Sequence, residues 1–152
     1  MAYAGREARE LLLETVAEAT DQIAVALAAL GAAYEQLDEN SADRLEEQLF
    51  RPAQVAYGRA KRTHSGFAER HDLPGREFAP AAAGLPSQGV KGFLERALEA
   101  IGEAESVLAD LQDSLRPVEV GDPELRAGLA DVRALLADLP DRANRFLSLF
   151  GR

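Results

Sequence analysis

The sequence predicts an all-α fold, an antiparallel up-down-up-down four-helix bundle with long helices and one long loop between the second and third helices. Three observations predict it. Apolar residues recur at spacings of three and four along four segments, which is the pattern of amphipathic helices. Short connections at 38–41 and 116–122 force neighbouring helices into hairpins. The chain has 152 residues, which fit a single domain, 1–152, and no cysteine, which excludes disulfides and thiolate metal sites.

The first helix is predicted from about residue 6 to residue 37, and Asp38, Glu39 and Asn40 then break it. Within it, residues 23–34 read IAVALAALGAAY, without a charge or a side-chain amide. A surface helix normally keeps one face polar, so we expect something beyond the bundle to cover this segment. Twelve residues are too few to cross a bilayer, which takes about 20. The apolar stripe consists of Leu12, Val16, Ile23, Leu27, Leu30, Tyr34 and Leu37.

If that stripe faces the core, the outward side of the first helix carries small residues. A two-fold dimer in which one patch meets itself is the commonest soluble assembly, and small residues allow close helix approach. We therefore predict a homodimer along the first helices. The alternative is that alanine serves helix propensity alone. The predicted interface consists of Val25, Ala28, Ala29, Ala32 and Ala33.

The other three helices follow from their stripes and caps. Asn40 or Ser41 is expected to cap the second helix, which runs to about His71. The third carries apolar residues from 94 to 115 and stops at 116–117, and the fourth begins at 122–123 with an aspartate cap followed by proline. Pro52 and Pro140 fall inside helical patterns, where each predicts a kink or a break. The favoured interpretation is a gentle bend that lets the long helices wrap one another, and the alternative is that a proline opens a small pocket.

The connection at 73–86, LPGREFAPAAAGLP, is longer than bundle connections usually are. Phe78 and Leu85 are expected to pin it over the end of the bundle. The favoured interpretation is a hydrophobic lid that closes the core, and the alternative is a binding loop.

The formal charge of −9 argues against a nucleic-acid partner and an anionic membrane surface, since both require clustered positive charge. Residues 51–78 differ, because this segment contains six basic residues and only three acidic ones. The start of the chain lacks the pattern of a signal peptide, and no stretch is expected to approach a transmembrane span. A cytoplasmic protein without a membrane partner is the expectation.

The predicted antiparallel order gathers most phenylalanines and both histidines at the end that holds the N-terminus and the long loop. A small-molecule or anion site is expected there if the protein has one. Lys91 follows a glycine-containing helix start, where free amides favour anions. The candidate ligand-binding residues are His64, Phe67, Arg70, His71, Lys91 and Phe93.

Catalytic and metal chemistry find little support in the pattern. The repeated Glu-x-x-His of di-iron bundles is absent, so no metal and no cofactor is expected. Both histidines are predicted to face the core, with no carboxylate converging on them. Thr63, His64 and Ser65 are neighbours on a helix and point in different directions, which disfavours a nucleophile with its base.

Arg59 and His64 are separated by four residues, RAKRTH, a spacing that resembles the active-site motif of HEPN-family ribonucleases. The resemblance covers six residues, and Ala60 stands where that family usually has a polar residue. It implies an all-helical dimeric ribonuclease with Arg59 and His64 in its active site. We expect that these two side chains do not share an open cleft.

The sequence thus favours a non-enzymatic helical bundle that acts through self-association or a protein partner. The alternatives are a small-molecule or anion-binding bundle and a ribonuclease similar to the HEPN family, each using the basic aromatic end around His64 and His71.

Overall fold

The computed structural model describes residues 2–150, and the side chains of residues 5–150. Within that range the chain is helical and contains no strand, which confirms the all-α prediction. Four long helical arms account for most of it: residues 2–35, 39–70, 89–113 and 123–150. The elements are α1 (Ala2–Glu35), α2 (Glu39–Leu45), a π-helical turn (Glu46–Phe50), α3 (Arg51–Arg70), a 3₁₀ turn (Pro86–Gln88), α4 (Gly89–Asp113), α5 (Arg116–Glu119), α6 (Pro123–Ala137) and α7 (Leu139–Phe150).

Aspartate side chains start two of the helices. Asp122 caps α6 by accepting from the backbone N–H of Leu125 at 2.8 Å, as the sequence predicts. The cap of α2 is Asp38, earlier than the predicted Asn40 or Ser41, and it accepts from the backbone N–H of Ser41 at 2.9 Å. That backbone hydrogen bond, followed by one from the Ser41 hydroxyl, lowers the pKa of Asp38.

Both interior prolines interrupt regular α-helix, which is one of the predicted outcomes. Pro52 lies in the first turn of α3, directly after the π-helical turn. A proline cannot donate to the carbonyl four residues earlier, and here that carbonyl, of Gln48, accepts instead from Arg142 at 3.2 Å. Pro140 lies in the first turn of α7, after α6 has ended at Ala137. A groove of about 350 Å³ beside Pro52 is lined in part by Arg142.

The direction of the helices departs from the prediction. Arg6 of α1 donates to the carbonyl of Asp72, just after α3, at 3.4 Å. Gln36, just after α1, donates to the carbonyl of Pro86, just before α4, at 3.0 Å. α4 therefore begins at the end of the molecule where α1 ends, and both α3 and α4 run opposite to α1. We call the end that holds the start of α1 proximal, and the opposite end distal.

The last arm returns from the proximal to the distal end. Arg59 of α3 binds Asp131 of α6 at 3.0 Å, while Arg142 of α7 reaches Gln48 before α3. The order is up-down-down-up, so the predicted up-down-up-down order is wrong. The length of the connection permits this order, because the 14 residues from 72 to 85 can extend roughly 46 Å, whereas α4 is roughly 37 Å long.

The residues 72–85, here called the strap, explain the apolar segment of α1. Ala29 and Ala33 are fully buried in the core of this same chain, and Tyr34 is exposed instead. Ala28 lies in a groove lined by Pro80 and Ala81 of the strap. The predicted interface is therefore wrong as an outward face: its remaining members, Val25 and Ala32, are half-buried and pack against the core.

By length and composition, Gly5–Glu35 could cross a membrane. The expectation that no stretch approaches a span is wrong in that respect. In the structure, more than half of its most apolar window is buried within this chain.

Candidate functional site: two grooves beneath the strap

The strap begins with a turn that reverses the chain at the end of α3. Asp72 adopts a left-handed conformation, with φ of 54°, and the backbone N–H of Leu73 donates to Ala68 at 2.8 Å. Together with the bond from Asp72 to Glu69, this is the Schellman arrangement that often ends helices. Leu73 is buried behind it. The chain is thereby directed back along the outside of α1.

Midway along, three contacts here called the clasp fix the strap to α1 and α3. The Arg76 guanidinium donates to both carboxylate oxygens of Asp21, at 3.0 and 2.9 Å. It also lies over the ring of Phe78, 4.6 Å from the centroid. Phe78 in turn meets the His64 ring edge-on, with 5.2 Å between centroids. The ion pair is nearly half exposed, so it contributes less than about 1 kcal/mol and mainly sets the position of the strap.

His64 is the buried polar residue that the clasp covers. Only 3% of it is exposed, and its Nδ1 atom has no hydrogen-bond partner within residues 5–150. Burial lowers the pKa of His64, and the nearby Arg76 charge lowers it further, while Asp21 opposes this. The imidazole is therefore neutral near pH 7.

The proximal groove, between the clasp and the proximal end, has a volume of about 530 Å³. Its floor consists of Leu13, Ala17, Leu73 and His64, and four acidic residues of α1 edge it. Glu10 and Asp21 are paired with Arg6 and Arg76. The other two, Glu14 and Glu18, form no ion pair in the part of the chain that the structure describes.

The distal groove lies beyond the clasp and has a volume of about 470 Å³. Its polar groups, Gln54, Tyr57 and Lys61, all come from α3, and Lys61 Nζ lies 4.4 Å from the centroid of the Tyr57 ring. Burial, and to a lesser degree Asp21, raises the pKa of Tyr57. Gly58 and apolar residues form the rest: Ala24, Leu27, Ala28, Phe50, Pro80 and Ala81.

The structure does not bring the predicted ligand-binding residues together. His64, Phe67 and Arg70 lie in the part of α3 that approaches the proximal end, and His71 follows directly after that helix. Lys91 and Phe93 lie near the start of α4, at the distal end. Residues that share an end in an up-down-up-down bundle are separated here by the length of the molecule, because α4 runs the other way.

Arg70 and His71 are already engaged by Asp122. Arg70 donates to both oxygens of Asp122, at 2.8 and 2.9 Å, and His71 Nε2 lies 2.9 Å from Oδ2. Burial acts to raise the pKa of Asp122, but the bonds from Arg70, the Leu125 backbone and His71 outweigh it and hold the pKa far below the usual range. The expectation that no carboxylate meets the histidines is wrong for His71. This cluster joins the end of α3 to the start of α6.

Arg59 and His64, the pair that resembles a ribonuclease motif, face different neighbours. Arg59 is bound to Asp131 of α6. His64 is buried on the other side of α3, beneath Phe78. The structure thus places no cleft between them. Among the described residues, no group of three or more histidine or acidic side chains is arranged to hold a metal ion.

The groove residues that sequence reasoning missed are Glu14, Glu18, Asp21 and Arg76. The four-residue spacing of Glu10, Glu14 and Glu18 is visible in the sequence and predicts one acidic face. Nothing in the sequence indicated that the strap returns along this helix and places Arg76 on Asp21.

No family model, no curated protein and no solved structure matches this chain. The function is therefore argued from the two grooves.

Proposed function

We propose that this protein is a non-enzymatic helical bundle that acts by binding a protein partner, and that the proximal groove receives a basic segment of that partner. The observation that carries the proposal is His64, a buried side chain with an unsatisfied nitrogen on the floor of an acid-edged groove. A buried polar atom without a partner is costly, so a ligand that supplies a hydrogen bond stabilises the bound state.

The chemistry of the groove favours a lysine side chain. Its four-carbon stem suits an apolar floor, and its ammonium suits a carboxylate edge. Leu13 and Ala17 provide that floor, while Glu14 and Glu18 provide negative charge that no residue of the described chain pairs. The neutral imidazole of His64 has one nitrogen able to accept a hydrogen bond from an ammonium group. The volume falls in the usual range for ligand sites, roughly 300 to 1,000 Å³.

The core supports a binding role over a catalytic one. Buried polar side chains in the described range are few, and three of them are satisfied locally. Thr20 and Thr63 donate to backbone carbonyls one turn earlier, at 2.7 Å each, and Ser41 donates to Asp38. His64 remains, without a hydroxyl nucleophile held against it. The proposal takes the four arms as one four-helix bundle in which arms that pack against each other are antiparallel.

The proposal does not include the homodimer predicted along α1, because the core and the strap cover most of the surface on which it relied. Self-association is instead a possible outcome of the test. Light scattering at tens of micromolar reports it directly, and a dimer that blocks the groove would overturn the assignment of the groove to another protein.

The test is a titration with a short lysine-bearing amphipathic peptide, read by isothermal calorimetry and by amide shifts in NMR spectra. We expect saturable shifts at Leu13, Ala17 and Leu73. A peptide with glutamate in place of lysine should not bind, since like charges oppose it.

The double variant Glu14→Gln/Glu18→Gln should weaken peptide binding about three- to tenfold, as expected for two exposed ion pairs. The matched control is Glu35→Gln/Asp43→Asn, which removes the same charge from exposed positions away from the groove. Equal weakening by both doubles would reveal only long-range attraction to an acidic protein, and would contradict a site in the proximal groove.

A further inference from the structure

The distal groove is a second site, with a different ligand chemistry. We infer that it binds an amphiphilic carboxylate, a small molecule with one anionic head and an aliphatic body. This inference does not depend on the proposed partner of the proximal groove, because the clasp separates the two and they share no lining residue.

The polar groups of the distal groove gather on one edge. Gln54, Tyr57 and Lys61 lie within two turns of α3, so an amide, a phenol and an ammonium edge the same groove. All three can donate hydrogen bonds, and Lys61 adds positive charge. A carboxylate head satisfies several donors at once, which neither an alcohol nor an amine does as well.

Lys61 is available for this role. The chain has two lysines, and the other, Lys91, lies 3.8 Å from Glu95 on the next turn of its helix. Lys61 forms no ion pair within residues 5–150 and instead lies over the Tyr57 ring. A cation held against an aromatic ring at the edge of an apolar groove has lost part of its water and gains from an anionic ligand.

The remaining walls suit an aliphatic body. Leu27 and Phe50 are half-buried against the core, and Pro80 of the strap closes the outer side. Ala24 and Ala28 leave room between them, since methyl side chains do not fill the space under the strap. A ligand with one charged end and an apolar remainder matches this division of the lining, as ligand sites generally do.

The experiment compares octanoate with 1-octanol, which has the same chain without the charge. Both are titrated into the full chain while amide shifts are followed by NMR. We expect shifts at Gly58 and Ala81, and an affinity for octanoate about three- to tenfold higher than for 1-octanol. Lys61→Gln should abolish that preference, and Lys91→Gln, the matched control, should retain it.

A second variant tests the apolar part of the groove. Ala28→Leu fills the space beneath Pro80 and should weaken both ligands alike. Circular dichroism confirms that each variant is folded. Equal affinity for the two ligands in the unmodified protein, an unchanged preference in Lys61→Gln, or shifts confined to other surfaces would each overturn the inference.

Discussion

The two grooves are lined by the same three segments of the chain and differ in chemistry. α1, α3 and the strap line both, yet carboxylates edge the proximal groove, whereas a lysine and a tyrosine edge the distal one. The boundary between the two grooves coincides with a change of composition along α1. Its acidic residues recur up to Asp21, and from residue 22 to residue 34 it has none.

The strap changes character at the same level. Its first part, 72–77, reads DLPGRE and covers the acidic part of α1, while 78–85 reads FAPAAAGL and covers the apolar part. The clasp of Asp21, Arg76 and Phe78 marks the crossing point. A connection of the same chain thus covers part of a long apolar helix segment, beside Ala24, Leu27 and Ala28.

The most severe test of this comparison is Ala29→Arg. Ala29 is fully buried behind the distal groove, so an arginine there is a buried charge without a partner. We expect the free energy of unfolding to fall by about 3 to 5 kcal/mol. Both grooves should be lost as a result. Val55→Arg, at an exposed position of α3, should change stability by no more than about 0.5 kcal/mol. A folded monomer from Ala29→Arg in chemical denaturation would show that α1 is not seated as described.

Gly128→Ala should have the next largest effect. A Cβ at Gly128 of α6 would overlap the side chain of Thr63, the neighbour of His64 on α3. We expect about 1 to 3 kcal/mol of destabilisation from overpacking, with altered NMR shifts in the proximal groove more than in the distal one. Gly102→Ala is the control, because its Cβ would meet nothing within 4 Å and alanine favours helix. Destabilisation of both to the same extent would contradict the close approach of α3 and α6.

Phe78→Ala should weaken the clasp, which separates the two grooves. Phe78 is half-buried against His64, so we expect a loss of about 1 to 2 kcal/mol, less than a fully buried phenylalanine would give. Amide exchange in the strap should accelerate, and a larger fraction of the His64 side chain should be exposed to solvent. Leu85→Ala, at a position 72% exposed, should leave exchange unchanged. Equal exchange in both variants would show that the clasp does not hold the strap.

The smallest expected effect is a pH dependence confined to the proximal groove. The folded pKa of His64 is lowered by burial and by Arg76, so the unfolded chain takes up the proton more readily. The free energy of unfolding should therefore fall as pH drops through about 6.5, by less than about 1.4 kcal/mol per pH unit. Denaturation midpoints between pH 5 and 8 measure this. His64→Phe should flatten that part of the profile, and an unchanged slope would contradict a neutral buried histidine.

Local structure was predictable because it depends on neighbours in sequence. The cap at Asp122, the breaks at Pro52 and Pro140 and the burial of His64 all follow from residue type and helical spacing. The direction of α4 was not predictable in this way. A connection of 14 residues allows the next helix to start at either end of the bundle, and the apolar pattern of α4 is satisfied in both directions.

The sequence by itself therefore determined four helical arms, their apolar faces and the change of composition along α1. Only the tertiary structure decided that the strap returns along α1. Along that path, small residues that were predicted to form a dimer interface are covered, and Arg76 pairs with Asp21. The same path separates Lys91 and Phe93 from His71. The physical reason is that helix formation is local, whereas the choice among compact packings depends on which distant surface covers residues 23–34 most completely.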